Sequence, residues 1–512
     1  MMSQATPAAR QIRTLMKRFR KEEDGSVIVL TLFLLILMLI LGGMAVDFMR
    51  FESRRASLQG CIDNAVLAGA DLDQSGTNAE IEAIVEDWAE ANGCRDDLDG
   101  APVVTGDGVD YREVTANGEL TLDTFFLRLI GTDEMTAVAA STAVEGVGNI
   151  EVSLILDMSG SMREEIPGSG GVTRMARLQE AATAFVDALL VPENADKISI
   201  NLIPYSEHVN AGPDLMAQFN VDQQHGFSHC VEFPDSAYTS LSIDDSAALD
   251  QAQHVQFNTA IDVDFDGQAD DYYDYWNDPW QAVSELNQPV CPQQTYERII
   301  PMTQDANVLN TAIGQFAPRS GTSIFIGLKW GLALLDPAHN DELLALPASM
   351  RDPAFAGRPA AYNANNAAQG ATIKYVVLMS DGQNDNSSRL YDWAYDTPSE
   401  RAHWAEETFP WYRSTDLDWE SSNNWRYQKY SYTQGDTLMA QMCTEAKKPE
   451  NNVTIYTIAM GTDDDPTEDA RGKAALSACA SGPSFYKETS GDELVAIFEA
   501  IAEQITDLRL TQ

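Results

Sequence analysis

Five oxygen-bearing side chains, spread over three separated stretches of this sequence, could together hold a metal ion. Asp157, Ser159 and Ser161 place one carboxylate and two hydroxyls within five residues. Thr322 follows a glycine in the stretch RSGTSIFIG, and Asp381 stands in the stretch MSDG. Hard oxygen ligands that leave positions open for water suit Mg²⁺ better than Zn²⁺. The set therefore predicts a divalent-metal site for Mg²⁺, with Mn²⁺ or Ca²⁺ as alternatives.

Buried strands must carry these residues to one place. Residues 149–157 (NIEVSLILD) and 372–380 (TIKYVVLMS) are short apolar runs of the kind that a parallel sheet buries, as are KISINLIPY and VTIYTIAM. Helix-like segments alternate with these runs, which predicts an α/β fold with a doubly wound, mainly parallel sheet. Because ligands bind beyond the carboxyl ends of the strands in such sheets, Asp157 and Asp381 are expected at one edge.

The DxSxS loop, the distant threonine and the distant aspartate resemble the metal-ion-dependent adhesion site (MIDAS) of von Willebrand factor A (vWA) domains. All five positions of that pattern are filled here. The resemblance implies a Rossmann-like vWA domain over residues 149–512. It also implies that the loop residues and Thr322 bind the metal directly or through water, that Asp381 acts through water, and that one position stays open for a protein partner's acidic group. The alternative is a metal-free vWA fold with a degenerate site.

A charge-free apolar run precedes this domain. Residues 26–46 would form a helix about 30 Å long, which matches the hydrocarbon core of a bilayer. Six basic residues precede the run, and no small-x-small cleavage site directly follows it. The positive-inside rule then predicts a basic cytoplasmic tail (1–25), a retained transmembrane helix (26–47) and a periplasmic or extracellular remainder, with one pass through the inner (cytoplasmic) membrane.

Residues 48–148 are predicted to form a stem and a small α+β domain. The helix continues to about residue 70, and a second helix is expected near residues 79–91. The segments PVV, VDYREV, ELTLD and MTAVAASTAV then indicate a small antiparallel sheet, with turn-forming GDG and NG between some of the strands.

The stretches GSVIVL, AVDFMRFE and LQGCIDNAVLAGA resemble the N-terminal region of TadE/TadG-like Flp pilus-assembly proteins. The resemblance covers residues 25–70 and extends more weakly to about 145. It implies a TadG-like protein, with a TadE/TadG-like N-terminal region and a C-terminal vWA domain. Pseudopilins cut by a prepilin peptidase carry Glu five residues after the cleavage glycine. Here Leu30 follows Gly25 at that distance, so the anchor is expected to stay uncleaved.

The six cysteines favour disulfides in an oxidising compartment. The sequence leaves their connectivity open, and pairing by nearest neighbours would close one loop in each of three regions. Those pairs are Cys61 with Cys94, Cys230 with Cys291, and Cys443 with Cys479. Because Cys61 stands close to the anchor, it could instead link two chains.

Two segments depart from the alternating pattern, about residues 206–297 and 384–435. They hold seven of the nine tryptophans: Trp276, Trp280, Trp393, Trp404, Trp411, Trp419 and Trp425. Both segments follow carboxyl ends of strands, so these rings could form a partner-binding surface beside the metal site. The alternative is that the rings bury one another in small satellite cores.

Two weaker metal signals lie in the first of these segments. Asp262, Asp264, Asp266 and Asp270 have the spacing of the first half of a calcium loop, which could hold a structural Ca²⁺. The twelfth position of the loop lacks the Glu of an EF-hand, so an acidic surface turn is the alternative. His225 and His229 stand near Cys230, but no further ligands cluster with them in the sequence.

A formal net charge of −45 argues against nucleic-acid binding. The sequence contains no P-loop, HExxH or GxSxG motif. The missing motifs argue against an enzyme. The apolar run and the resemblances to vWA domains and TadG-like proteins imply a membrane-anchored protein that mediates protein–protein interaction in Flp/Tad pilus assembly, with pilus or envelope components as partners. The alternative is a general surface adhesin or envelope scaffold unrelated to pili. An enzyme built in the insertions is the third hypothesis.

Overall fold

A computed structural model describes residues 24–71, 76–106, 111–146, 148–257, 286–362, 365–366, 370–415, 424–461 and 466–510. Its contacts divide the chain into two units, Met1–Gly146 and Val147–Gln512. The architecture is mixed α/β, with an apolar helix at the start of the described residues.

The first unit begins with one uninterrupted helix, α1 (Asp24–Ala70), of 47 residues. A helix of this length extends about 70 Å, more than twice the thickness of a hydrocarbon core. Among the described residues it is the one helix long and apolar enough to cross a membrane, and its most apolar window is almost wholly exposed. Its later part carries the buried side chains Leu58, Ile62 and Val66. The first part of this helix is therefore apolar enough to lie in a bilayer, and its later part belongs to the core of the first unit.

A helix and a small sheet complete this unit. They are α2 (Asn78–Ala91), β1 (Val103–Gly106), β2 (Tyr111–Asp123) and β3 (Glu134–Gly146). The three strands are antiparallel in the order β1-β2-β3, and α1 packs on them through the apolar residues of its second half. A disulfide between Cys61 and Cys94 joins α1 to the residues that follow α2.

The turn expected at Asn117-Gly118 is wrong. β2 runs straight through this dipeptide, and Gly118 pairs with Ala139 of β3. A Cβ atom on Gly118 would lie 2.4 Å from Cδ1 of Ile62. The glycine therefore serves the close approach of α1 to the sheet rather than a chain reversal.

The second unit is built on a sheet whose strands are β4 (Asn149–Asp157), β5 (Ile198–Tyr205), β9 (Ile300–Thr303), β11 (Gly370–Ser380), β14 (Val453–Met460) and β15 (Tyr486–Thr489). Their spatial order is β15-β14-β11-β4-β5-β9. All neighbours are parallel except β9, which is antiparallel to β5. The short strand β10 (Asn365–Asn366) pairs with β11. The central strands are mainly apolar because both faces of the sheet are covered.

Helices cover both faces of this sheet. One face carries α3 (Arg174–Leu189), α5 (Ala306–Ile313) and α12 (Leu494–Leu510). The other carries α6 (Ile324–Ala333), α10 (Tyr432–Ala446) and α11 (Pro466–Cys479). The Cys443–Cys479 disulfide joins α10 to α11. The layers therefore hold the carboxyl ends of the parallel strands at one rim, where β4 and β11 end side by side.

Short elements lie around this framework: α4 (Gly212–Met216), β6 (Val221–Asp222), β7 (Val231–Glu232), β8 (Leu249–Gln251), α7 (Asn340–Ala345), β12 (Ser387–Leu390), α8 (Pro398–Trp404), α9 (Phe409–Thr415) and β13 (Arg426–Tyr430). Strands β6, β8 and β7 form a small sheet, and β12 pairs with β13. The Cys230–Cys291 disulfide joins the residue directly before β7 to the segment that precedes β9. All three nearest-neighbour cysteine pairs are thus formed.

The tryptophans of these segments behave in two ways. Trp404 is buried, and its indole N–H donates to the Ala394 carbonyl at 2.8 Å. Trp425 packs against Trp404 and Tyr412, which makes a satellite core. Trp393 is 56% exposed. The alternative of a satellite core is therefore confirmed for Trp404 and Trp425. Trp276, Trp280 and Trp419 lie outside the described residues.

Candidate metal centre

Asp157 stands at the carboxyl end of β4 with its carboxylate fully buried. Oδ1 accepts the backbone N–H of Ser159 at 2.7 Å. Oδ2 accepts the Ser380 hydroxyl at 2.6 Å and lies 3.2 Å from the hydroxyl of Tyr205. These contacts fix the carboxylate's orientation, because the loop after β4 and the neighbouring strands all hold it.

The two serines of the loop connect this carboxylate to the one at the end of β11. The Ser159 and Ser161 hydroxyl oxygens are 3.1 Å apart. Ser161 Oγ donates to Asp381 Oδ1 at 2.7 Å, across 220 positions of sequence. The structure therefore brings four of the five sequence-predicted oxygen donors into one continuous cluster.

The loop that carries Thr322 lies beside this cluster. The Arg319 N–H donates to the Met158 carbonyl at 2.7 Å, and the Gly160 N–H donates to the Ser320 carbonyl at 3.0 Å. Thr322 is buried, and its backbone exchanges hydrogen bonds with Asp385, which follows β11. Backbone hydrogen bonds thus hold the Thr322 loop against the loop that carries Ser159 and Ser161.

Gly160 lies where the loop after β4 touches the loop that carries Thr322. Its φ is not in the left-handed region, so the turn itself does not need a glycine. A Cβ atom at this position would lie 3.0 Å from the Ser320 carbonyl oxygen. Glycine at 160 therefore lets the two loops touch. Ser320, by contrast, does adopt a left-handed φ of 51°, a conformation that costs a non-glycine residue energy.

The charge in this cluster is only partly compensated. Burial, and then the neighbouring Asp157 carboxylate, raise the pKa of Asp381 to about 7, while Arg174 opposes the rise. Burial also raises the pKa of Asp157, against hydrogen bonds from Ser159 and Ser380. Arg174 Nη1 lies 3.2 Å from Asp381 Oδ2, and its Nη2 lies 2.8 Å from Glu164. One guanidinium thus pairs with both Asp381 and Glu164.

This donor set fits a hard divalent cation. Two carboxylates and neutral hydroxyls are ligands typical of Mg²⁺, Mn²⁺ or Ca²⁺, and neither thiolate nor imidazole is among them. In the described part of the chain, no group of three or more His, Cys, Asp or Glu side chains is placed to hold a metal. A cation here would therefore depend on the hydroxyls of Ser159, Ser161 and Thr322 beside the two carboxylates.

Sequence reasoning missed three residues of the cluster, Arg174, Tyr205 and Ser380. A signal existed for the first of them. Arg174 is the first residue of α3, where a positive charge faces the positive end of the helix dipole. A positive charge in this position is unfavourable unless an acidic group lies nearby, and Asp381 is that group. Tyr205 and Ser380 are ordinary strand residues by sequence, and only the strand register brings them to Asp157.

A second buried network joins the Thr322 loop to β12. Glu207 accepts the Ser320 hydroxyl at 2.6 Å and the Ser387 hydroxyl at 2.7 Å. Arg389 donates to Ser387 Oγ and also pairs with Glu232. Burial opposes ionisation of Glu232, but Arg389 and His208 leave its pKa well below the usual range. The loop beside the cluster is therefore braced by the segment that follows β11.

Of the two weaker metal signals, the possible calcium loop of Asp262, Asp264, Asp266 and Asp270 lies outside the described residues. His225 is buried, with Nε2 3.0 Å from the Ala252 carbonyl and its ring stacked on Phe227. Cys230 is in a disulfide. His225 thus has the contacts of a core histidine.

Comparison with solved structures finds similarity to pilus proteins. Among solved structures, the chain is similar to the PilB minor pilin from Streptococcus sanguinis (16% identity, 80% of this chain and 78% of that chain, TM-score 0.32). It is also similar to the vWF domain of the type V pili tip protein Mfa5 from Porphyromonas gingivalis (14%, 72% and 98%, 0.34). A third is the adhesive tip pilin GBS104 from Group B Streptococcus agalactiae (13%, 70% and 100%, 0.35). TM-scores this low do not establish a shared fold.

No curated protein matches the sequence significantly. Residues 25–72 match the family model for TadE/G-like Flp pilus-assembly proteins. These residues make up most of α1, the helix with the composition of a membrane anchor. The N-terminal segment of this chain is therefore TadE/G-like.

Proposed function

We propose that this chain is a membrane-anchored, extracytoplasmic vWA protein that binds Mg²⁺ at a MIDAS-type site and mediates protein–protein interaction in Flp/Tad pilus assembly. The observation that carries the proposal is the cluster of Asp157, Ser159, Ser161 and Asp381 where β4 and β11 end. The TadE/G-like match supports the pilus context. The parallel sheet with helices on both faces supports the vWA assignment.

In this proposal each residue has a defined part. Asp157 supplies negative charge, Ser159 and Ser161 supply neutral oxygens, and Thr322 adds a hydroxyl from the neighbouring loop. Asp381, held by Ser161 and Arg174, acts through water. A bound divalent ion would supply an open coordination position able to accept a carboxylate oxygen from a pilus or envelope partner. The chain's own role is to hold its oxygens in place before the partner arrives.

Calorimetric titration of the full-length protein in detergent tests the metal site. Wild type is expected to bind Mg²⁺ or Mn²⁺, and Asp157→Ala to lose that binding. Thr322→Ala should keep part of the affinity, because the hydroxyl it removes carries no charge. Asp341→Ala, an exposed carboxylate on α7, is the matched control and should bind as wild type does. Equal Mg²⁺ affinity in wild type and Asp157→Ala would refute the site.

The topology in the proposal is N-terminus in the cytoplasm and the bulk outside. Basic residues before α1 support it through the positive-inside rule. Alkaline phosphatase and a cytoplasmic reporter, fused in turn to the C-terminus, would distinguish the two orientations. Active phosphatase is expected, and an active cytoplasmic reporter with silent phosphatase would reverse the orientation.

A general adhesin or envelope scaffold is the competing function, and the same metal site would serve it. Affinity capture separates the two. The purified protein should retain Flp pilus components in Mg²⁺ and release them in EDTA. Metal-dependent capture of other envelope proteins, with no pilus component, would favour the adhesin.

A further inference from the structure

A short loop of the first unit, residues 124–130, packs against α1 where its charge-free run ends. Three of its apolar side chains face outward, Phe125 at 59%, Leu129 at 70% and Ile130 at 53% exposed. Leu127, in the same loop, is buried. The loop thus has one side in the protein and a cluster of large apolar groups on the other, which is unusual for a surface in water.

Asp47 of α1 fixes the position of this loop. Its Oδ1 accepts the N–H of Phe125 at 3.1 Å, and its Oδ2 accepts those of Phe126 and Leu127 at 2.7 and 2.9 Å. The carboxylate is almost fully buried by these contacts. Three charge-assisted hydrogen bonds from consecutive backbone amides hold the 124–130 loop at one level of the helix.

Gly43 defines that level more closely. A Cβ atom on Gly43 would lie 2.3 Å from the ring of Phe126, so the ring rests directly on the helix backbone. Gly43 is one helical turn nearer to the apolar end than Asp47. The glycine is therefore required for docking of the loop, and any side chain there would push Phe126 away.

This contact places the loop at the edge of the bilayer. At about 1.5 Å per residue, Gly43 is roughly 27 Å from Gly25, inside a hydrocarbon core of about 30 Å. Val46, Phe48 and Met49 of α1 are exposed apolar side chains at the same level. The outward side chains of the 124–130 loop therefore continue the apolar surface of the anchor itself.

Two arginines border the apolar cluster. The Arg50 guanidinium lies 4.1 Å from the centre of the Phe125 ring, and Arg128 is exposed on the loop. Arginines beside aromatic and aliphatic side chains are typical of the headgroup region, where the guanidinium reaches phosphate and the stem stays in apolar surroundings. The strongly acidic remainder of the chain makes this local positive charge distinctive.

We propose that the 124–130 loop is a second membrane-contacting element of this protein. Phe125, Leu129 and Ile130 insert into the interface of the leaflet from which α1 emerges, and Arg50 and Arg128 lie at the lipid phosphates. The bilayer is the occupant because the cluster is continuous with α1 and held at the end of its apolar run. The inference needs α1 to be an anchor but neither a particular orientation nor the metal site, so it fails or holds separately from the proposed function.

Nitroxide depth measurements on the full chain test the proposal. All six cysteines are in disulfides, so an introduced cysteine is the single free thiol. The label is placed at Leu129→Cys in phosphatidylcholine–phosphatidylglycerol vesicles. Val46→Cys reports the edge of the span, and Val144→Cys, 55% exposed on β3, reports water. Val144 is nine residues along β3 from Met135, or about 30 Å.

The Leu129 label should collide with oxygen several-fold more than with a water-soluble nickel chelate, as the Val46 label does. A collision ratio equal to that at Val144 would overturn the proposal. Protection from both reagents would also overturn it, because a protein surface would then cover the loop.

Asp47→Ala provides a second test. Without the three hydrogen bonds, the Leu129 label should lose its oxygen preference, while the Val144 label keeps its spectrum and shows that the sheet is folded. An unchanged depth at Leu129 would show that Asp47 does not hold the loop in the membrane.

Discussion

The two ends of the strand pair β4–β11 carry buried charge in opposite ways. At the amino end, Glu151 of β4 forms an ion pair with Lys374 of β11, and Arg358 donates to the Ile150 carbonyl. At the carboxyl end, Asp157 and Asp381 are both acidic, and Arg174 pairs with Asp381. Buried charges are normally paired. The amino end is balanced by the chain's own residues, whereas the carboxyl end needs a proton or a cation from outside.

The difference separates structural from functional burial of charge. Glu151 and Lys374 neutralise each other and leave nothing for a ligand to do. Burial, and then the Asp157 carboxylate, raise the pKa of Asp381, so ionisation of both groups is unfavourable without further positive charge. Incomplete compensation, more than burial itself, identifies the carboxyl end as the candidate site.

The largest effect is expected from breaking the balanced end. Glu151→Gln leaves the buried Lys374 ammonium without a counter-charge, which should lower the free energy of unfolding by about 3–5 kcal/mol. Denaturant titration of the detergent-solubilised protein measures this loss. The double variant Glu151→Gln/Lys374→Met should recover most of it. A double variant as unstable as the single one would mean that the ion pair is not the cause.

The carboxyl end should respond differently to the same kind of change. Asp157→Asn removes a charge that repels Asp381, so the metal-free protein should lose much less stability than Glu151→Gln does. Wild type should gain about 2.7 kcal/mol at a Mg²⁺ concentration 100 times the dissociation constant. Asp157→Asn should gain none. Melting temperatures with Mg²⁺ and with EDTA report both effects, and a Mg²⁺-dependent gain in the variant would contradict the comparison.

A pH series in EDTA sharpens the contrast. The pKa of Asp381 is about 7 in the folded protein and near 3.8 when unfolded, so the folded state binds more protons between these values. Stability from this group is present at low pH and is lost as pH rises towards 7, by at most about 1.4 kcal/mol per pH unit. Asp381→Asn should remove this part of the slope. An identical pH profile in the variant would show that Asp381 does not titrate in this range.

The smallest effect concerns Arg174. Its guanidinium is the positive charge nearest to Asp381, so Arg174→Gln should strengthen Mg²⁺ binding by up to about tenfold through loss of repulsion. Arg177→Gln, on the same helix with its side chain paired to Glu180, is the control and should change nothing. Weaker Mg²⁺ binding in Arg174→Gln would mean that the arginine mainly positions Asp381.

Local sequence signals predicted much of the framework. Strands β4, β5, β11 and β14 are mainly apolar, so their burial in a parallel sheet could be foreseen. The same runs placed Asp157 and Asp381 at strand ends. Cysteine order suggested the three disulfides because each pair closes within its own region.

Features set by tertiary contacts were not predictable in this way. The antiparallel edge strand β9 is four residues long and contains Pro301, so it carries no periodic signal. Gly118 follows an asparagine, and this dipeptide is typical of turns. The contact that explains this glycine is made with Ile62, on a helix distant in sequence. Glu207 joins the Thr322 loop to β12 through the hydroxyls of Ser320 and Ser387. In each case the deciding partner is far away in sequence.

The unbroken course of α1 has a mechanical consequence. Because one rigid rod passes from lipid into the core around Leu58, Ile62 and Val66, the span cannot tilt without swinging the small sheet. Membrane helices tilt by about 20° on average and adjust their tilt to bilayer thickness. At that angle the end of α1 at Ala70, about 36 Å beyond Val46, would move sideways by about 12 Å. The thickness of the host membrane would therefore determine the angle at which α1 and the small sheet packed on it stand to the membrane.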